Sequence, residues 1–134
     1  MNDHNLKQEI LDLYSSMTKI YYIDEAKTEY TVVMPVFMAD GDSVEVYVEK
    51  NDDGFILSDE GETFSLHISK YGFNPPPEEA KERIVKELKT ANCEFDGVII
   101  IRHVEQEANL PHAIYHFANA IAQLTYEEIN RGKH

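Results

Sequence analysis

The sequence predicts an α+β domain: a mainly antiparallel sheet, built from a three-strand meander plus a later strand or hairpin, packed against N-terminal, middle and C-terminal helices. Three observations carry this expectation. Apolar residues recur at spacings of four and three in the first and last segments, the period of one helix face. In the first half, Val44, Val46 and Val48 alternate with Glu45, Tyr47 and Glu49, the period of a strand with one wet side. The 134 residues fit one domain, 1–134, and a chain of that length buries roughly two thirds of its unfolded surface without help from disulfides or metal.

Taken in order, Leu6, Ile10, Leu13, Met17 and Ile20 predict an amphipathic helix over about 4–22. Tyr30 to Met34 is β-branched and apolar, hence a strand, and Pro35 marks a bulge or an edge. Ala39 to Asp42 forms a turn into the strand Ser43 to Glu49. Asn51-Asp52-Asp53-Gly54 has hairpin chemistry, and Phe55-Ile56-Leu57 returns as a third strand. Asp59 and Glu62 have capping-box spacing, so a short helix begins there, with Phe64, Ile68 and Tyr71 on its apolar side and Gly72 closing it. Pro75-Pro76-Pro77 is a stiff connector. The helix that follows, about 77–90, has Glu78 and Glu79 in its first turn and Ala80, Ile84, Leu88 and Ala91 on its buried side. Residues 93–104 read as a hairpin or a lone strand, with Val98 to Ile101 apolar on both faces. Leu110, Ile114, Phe117, Ile121 and Leu124 then form a long C-terminal helix, with Asn109 as cap and Pro111 in the first turn.

Charge narrows the function. Twelve Lys and Arg stand against 25 Asp and Glu, a formal charge of −13, which repels phosphate backbones and makes direct nucleic-acid binding a poor fit. Basic proteins and metal cations are the partners such a field attracts. One cysteine, Cys93, rules out an intrachain disulfide or a multi-cysteine metal site and suits a reducing compartment. No apolar stretch has the length of a signal peptide or a membrane span, so the expected location is cytoplasmic and no membrane partner is expected.

The acids are concentrated. Residues 40–62 hold Asp40, Asp42, Glu45, Glu49, Asp52, Asp53, Asp59, Glu60 and Glu62 against Lys50 alone, a net charge of −8. Turns and helix starts favour Asp and Glu in any protein. Gathered on one exposed patch, however, these nine would pair with the Lys and Arg of a basic partner, and they are the partner-binding residues the sequence nominates. Glu49 to Glu60 comes close to the twelve-residue calcium loop, although its first ligand is Glu49 and the segment before it has strand periodicity. His112 and His116 stand four apart on the C-terminal helix, a chelating spacing, but they lie near the side opposite Leu110 with Asn119 and Gln123 continuing a polar stripe, which reads as a solvated face; His103 is a third ligand only if its strand end meets that helix. His67 and Cys93 read as packed residues. Phosphate-binding glycine loops, nucleophile elbows and metalloprotease helices are absent, so no catalytic residue, cofactor or metal is assigned.

Gly41-Asp42, Tyr47, the string Leu57-Ser58-Asp59-Glu60-Gly61, Gly72 and Arg83 resemble the bacterial and phage family called domain of unknown function 1828, over roughly residues 5–125. The chain departs from that pattern where Val36 follows Pro35 and where Met38 replaces an acid. The resemblance implies the fold and a context of bacteria and mobile elements, hence a host-conflict or regulatory role, and no activity. The leading expectation is an acidic, non-enzymatic protein that binds a basic, nucleic-acid-handling protein, as a phage-encoded inhibitor or nucleic-acid mimic would. The alternatives are a metal-dependent hydrolase or nuclease using Asp42, Asp59 and Glu45 with Lys70, and a homo-oligomeric module joined through aromatic surface such as Tyr21, Tyr22 and Tyr126.

Overall fold

A computed structural model describes residues 3–22, 28–68, 71 and 75–131. The fold is α+β. Helix α1 (Asp3–Met17) leads into strands β1 (Lys19–Tyr22), β2 (Glu29–Phe37), β3 (Ser43–Asn51) and β4 (Gly54–Ser58). A short π-helix (Thr63–His67), helix α2 (Glu78–Lys89), strands β5 (Glu94–Phe95) and β6 (Ile100–Val104), and the long helix α3 (Leu110–Asn130) complete the order. The six strands form one antiparallel sheet in the order β1-β2-β3-β4-β6-β5.

The period-two pattern of β3 sets the layers. Val44, Val46 and Val48 are almost fully buried, and the buried face of α3 lies over this side of the sheet. Phe117, Ile121 and Leu124 of α3, Leu57 of β4, Ile100 of β6 and Ile84 of α2 join them in the core. Full burial of each such side chain contributes about 1.5–3 kcal/mol. Ala113 and Ala118 let α3 approach closely, and the Thr125 hydroxyl accepts the Ala39 amide proton at 3.0 Å, fixing the helix to the β2–β3 turn.

Local chemistry accounts for the turns. The β2–β3 register shifts between Val33 and Phe37, the bulge that Pro35 requires. Asn51 pairs with Gly54 across a two-residue hairpin, with the Asp53 amide donating to the Asn51 side chain. Gly54 has φ +134°, and a Cβ there would stand 2.3 Å from the Val104 carbonyl oxygen, so only glycine lets β4 lie this close to β6. Asp96 closes the β5–β6 turn by accepting the Val98 and Ile99 amide protons.

The first helix departs from expectation. It stops at Met17 rather than continuing to about residue 22, because the β-branched and aromatic run Ile20-Tyr21-Tyr22 pairs with β2 as an edge strand, making the meander four-stranded. Its stripe does not enter the core: Leu6, Ile10, Leu11 and Leu13, with Ile20 and Tyr21 on β1, are 46–61% exposed. Asn109 stands at the start of α3 but makes no side-chain cap. Gly72 and Lys70 lie outside the described residues.

Candidate functional site

Because Val44, Val46 and Val48 face α3, Glu45, Tyr47 and Glu49 point to the other side of the sheet. Register extends that face. Glu29 on β2 sits directly opposite Glu49, Tyr47 lies between Thr31 and Ser58, and Glu49 lies between Glu29 and Ile56. Like charges placed directly across a ladder destabilise it by about 0.2–1 kcal/mol. Tyr47 is the hub: its hydroxyl is 2.7 Å from Glu62 Oε1 and 3.1 Å from Glu45 Oε2, and its one proton serves one carboxylate at a time. Burial and these two carboxylates push the phenol well above its ordinary pKa of 10.0.

Glu60 completes the group from the loop after β4. Its backbone is left-handed at φ 54°, and its amide donates to Ser58 Oγ at 2.9 Å. Burial, then the charges of Asp59, Glu29, Glu62 and Glu49, raise the Glu60 pKa above 4.5. Together Glu29, Tyr30, Tyr47, Glu49, Glu60 and Glu62 line a depression of about 360 Å³. Among the described residues, no Lys or Arg forms an ion pair with Glu45, Glu49, Glu60 or Glu62. The arrangement gathers several acceptors around a half-buried phenol.

The remaining nominated acids do not join this group. Asp52 and Asp53 are exposed at the tip of the β3–β4 hairpin. Asp40 and Asp42 sit in the β2–β3 turn, where His67 Nδ1 lies 2.6 Å from Asp40 Oδ2 and 3.5 Å from Asp42 Oδ2. Burial works to raise the Asp40 pKa, but the hydrogen bonds from His67 and the Asp42 amide, with the His67 charge, outweigh it and leave it below 3.8. The donor atoms of Asp40, Asp42 and His67 fall within 4.8 Å of one another, compact enough for a divalent ion, yet the 2.6 Å His67–Asp40 contact is a hydrogen bond that holds the group together without one.

Asp59 corrects the surface expectation outright. It is 2% exposed, so it meets no partner. Its Oδ1 accepts the Gly61 and Ile100 amide protons, each at 2.8 Å, and its Oδ2 accepts that of Thr63 at 3.3 Å. The carboxylate thus ties the end of β4, the π-helix and the start of β6 together. Burial raises its pKa against the pull of those amides. Glu62 does not reach back to complete a capping box; Tyr47 holds it instead. With Asp59 engaged by the backbone, it is not free to serve as the metal ligand that a hydrolase built on Asp42, Asp59 and Glu45 would need. The Glu49 to Glu60 stretch is a β-hairpin followed by a tight turn, so its backbone serves the strand ladder rather than a calcium loop.

The histidines divide. His103 pairs across from Ile56, on the side of the sheet away from α3, and its Nε2 is 3.5 Å from Glu94, so it cannot join His112 and His116. Those two are exposed on α3 with Nε2 atoms 2.8 Å apart. Cys93 is buried, and burial pushes its thiol up to about 11, which makes it a packed residue rather than a nucleophile.

Two features escaped the sequence. Glu29 belongs to the acidic face, but only the β2–β3 register reveals it. Glu128, placed on the buried side of α3, is fully buried and bound by Arg83 Nη2 at 2.7 and 2.9 Å and by the Tyr71 hydroxyl at 3.1 Å. An acid in phase with Phe117, Ile121 and Leu124 was the available signal.

No curated protein and no solved structure matches the chain. A family model does match residues 34–124, from the middle of β2 to the fifth turn of α3, covering Glu45, Tyr47, Glu49, Glu60 and Glu62 of the acidic face but not Glu29, together with the Asp59 junction and Arg83. The chain belongs to the family described as Domain of unknown function DUF1828.

Proposed function

We propose that the protein is an acidic, non-enzymatic interaction protein whose open sheet face receives Lys and Arg side chains of a basic partner that itself handles nucleic acid. The observation that supports this reading is the depression lined by Glu29, Tyr47, Glu49, Glu60 and Glu62, with Glu45 held beside it by the Tyr47 hydroxyl. Glu29 and Glu49 face each other across the β2–β3 ladder, and like charges so placed repel. A guanidinium or ammonium group entering the depression relieves that repulsion and gains charge-assisted hydrogen bonds. A basic surface that normally binds phosphates has the complementary field, so occupation by this protein blocks nucleic acid, as a phage-encoded inhibitor or mimic would.

The test is capture from a bacterial lysate on immobilised full chain, washed at about 0.1 M and about 1 M salt. The expected partner is retained at low salt, released at high salt, displaced by DNA or RNA, and lost with the combined changes Glu45→Gln, Glu49→Gln, Glu60→Gln and Glu62→Gln. A partner retained unchanged by that variant, or indifferent to salt, refutes the proposal.

A second reading rests on the exposed leucines of α1 beside Ile20 and Tyr21. Apolar surface gathered at one edge of a small protein fits self-association. Light scattering that returns a monomer at high concentration excludes it.

A further inference from the structure

We propose that His112 and His116 form a binding site for a divalent transition-metal ion of borderline softness, such as zinc or nickel, with its open coordination positions facing the groove between α2 and α3. The two residues are four apart on α3, so their side chains leave the same side of the helix. Their Nε2 atoms are 2.8 Å apart, the ring centroids 4.2 Å apart and the ring planes inclined at 66°. Rings joined end to end would hold their centroids farther apart than this, so the two Nε2 directions are bent rather than aimed along one line. Nitrogen ligands at about 2.0–2.1 Å from a metal stand about 2.9 Å apart at the right angle of octahedral or square-planar nickel and about 3.3 Å apart at the tetrahedral angle of zinc, so the spacing present suits the first directly and reaches the second when the exposed rings part by about half an ångström.

Without metal this contact is a hydrogen bond in which one Nε2–H donates to the bare Nε2 of the other ring. On binding, the donor ring moves its proton to Nδ1, both Nε2 lone pairs take the ion, and no proton is lost from the pair. Imidazole nitrogen is the ligand such ions favour over the carboxylate oxygens that dominate the rest of this surface.

The second, independent observation is the space in front of the pair. A groove of about 660 Å³ is bounded by both histidines together with Arg102, Asn119, Gln123 and Glu127. An ion held there by two protein nitrogens keeps positions for water or a small ligand, the open arrangement that distinguishes working metal sites from closed structural ones. The site lies on α3, whereas the acidic face is on the opposite side of the sheet, so its failure would leave the partner-binding proposal standing.

The test is calorimetric titration of the untagged full chain with zinc or nickel salt, alongside His112→Gln, His116→Gln, His67→Gln and His134→Gln variants whose folding is checked by thermal melting. The expected result is one ion per chain, lost in the His112→Gln and His116→Gln variants and retained in the His67→Gln and His134→Gln variants. In wild-type protein the imidazole NMR signals of His112 and His116 should shift with the same stoichiometry. Any other pattern overturns the assignment: no binding by wild type, binding that survives loss of either α3 histidine, or binding abolished by His67→Gln.

Discussion

Replacing Asp59 with alanine removes the acceptor shared by three backbone amides at the junction of β4, the π-helix and β6. The Gly61 and Ile100 protons lose partners at 2.8 Å and the Thr63 proton one at 3.3 Å. A buried N–H left unpaired costs about 1–3 kcal/mol. Relief of carboxylate desolvation offsets part of this, leaving a net loss of about 3–5 kcal/mol out of the 5–15 kcal/mol typical of a domain. For a chain of this length that lowers the melting temperature by roughly 10–20 °C. Asp59→Asn keeps Oδ1 for Gly61 and Ile100 but turns an amide NH₂ toward the Thr63 proton, so its cost is about 1–3 kcal/mol. Urea and thermal unfolding followed by circular dichroism measure both. An alanine variant that loses less than about 1 kcal/mol, or an asparagine variant as unstable as alanine, refutes the assignment of Asp59 as a backbone junction. The result also guards the interaction experiment, since any change at Asp59 disturbs the loop carrying Glu60 and Glu62.

Other outcomes are equally definite. Arg83→Met takes its shortest ion-pair partner from the buried Glu128 carboxylate, leaving the Tyr71 hydroxyl and, at 3.5 Å, Arg131 Nε beside it, and costs about 3 kcal/mol in urea unfolding, while Arg83→Met with Glu128→Leu recovers most of that loss. Glu60 titrates above 4.5 in the folded state, so the folded protein binds its proton more tightly than the unfolded chain. Its contribution to stability therefore falls as pH rises from the unfolded value through the higher folded one, and Glu60→Gln flattens that part of the stability profile measured by urea unfolding at stepped pH. Glu45→Gln with Glu62→Gln removes both negative neighbours of Tyr47 and brings its ionisation back toward 10.0, read from tyrosinate absorbance.

Much of this fold was legible because its signals are periodic and local. The β3 alternation, the Asn51 to Gly54 hairpin, the Pro35 bulge and the buried side of α3 all follow from the sequence and recur in the structure. The N-terminal segment misled because Leu6, Ile10 and Leu13 satisfy helical spacing whether or not anything covers them, and that spacing continues through Ile20 into residues that pair as a strand. The site was legible as a charge excess but not as a shape. Sequence proximity joined Asp59 to Glu60, yet one carboxylate is enclosed by amides and the other faces the depression. Glu29, far from the acidic run in sequence, arrives through strand register, and Asp40 and Asp42 are engaged by His67 instead of lining the depression.

The strand order has a bearing on how this protein keeps to itself. Its two outer rails are the shortest strands in the sheet, four residues at β1 and two at β5, while the nine-residue β2 and β3 are enclosed on both flanks. A two-residue rail offers almost no template for an incoming chain, and the four-residue rail begins with Lys19. Fibril-like growth by backbone pairing is therefore starved at both borders, and copies that do meet must do so through side chains.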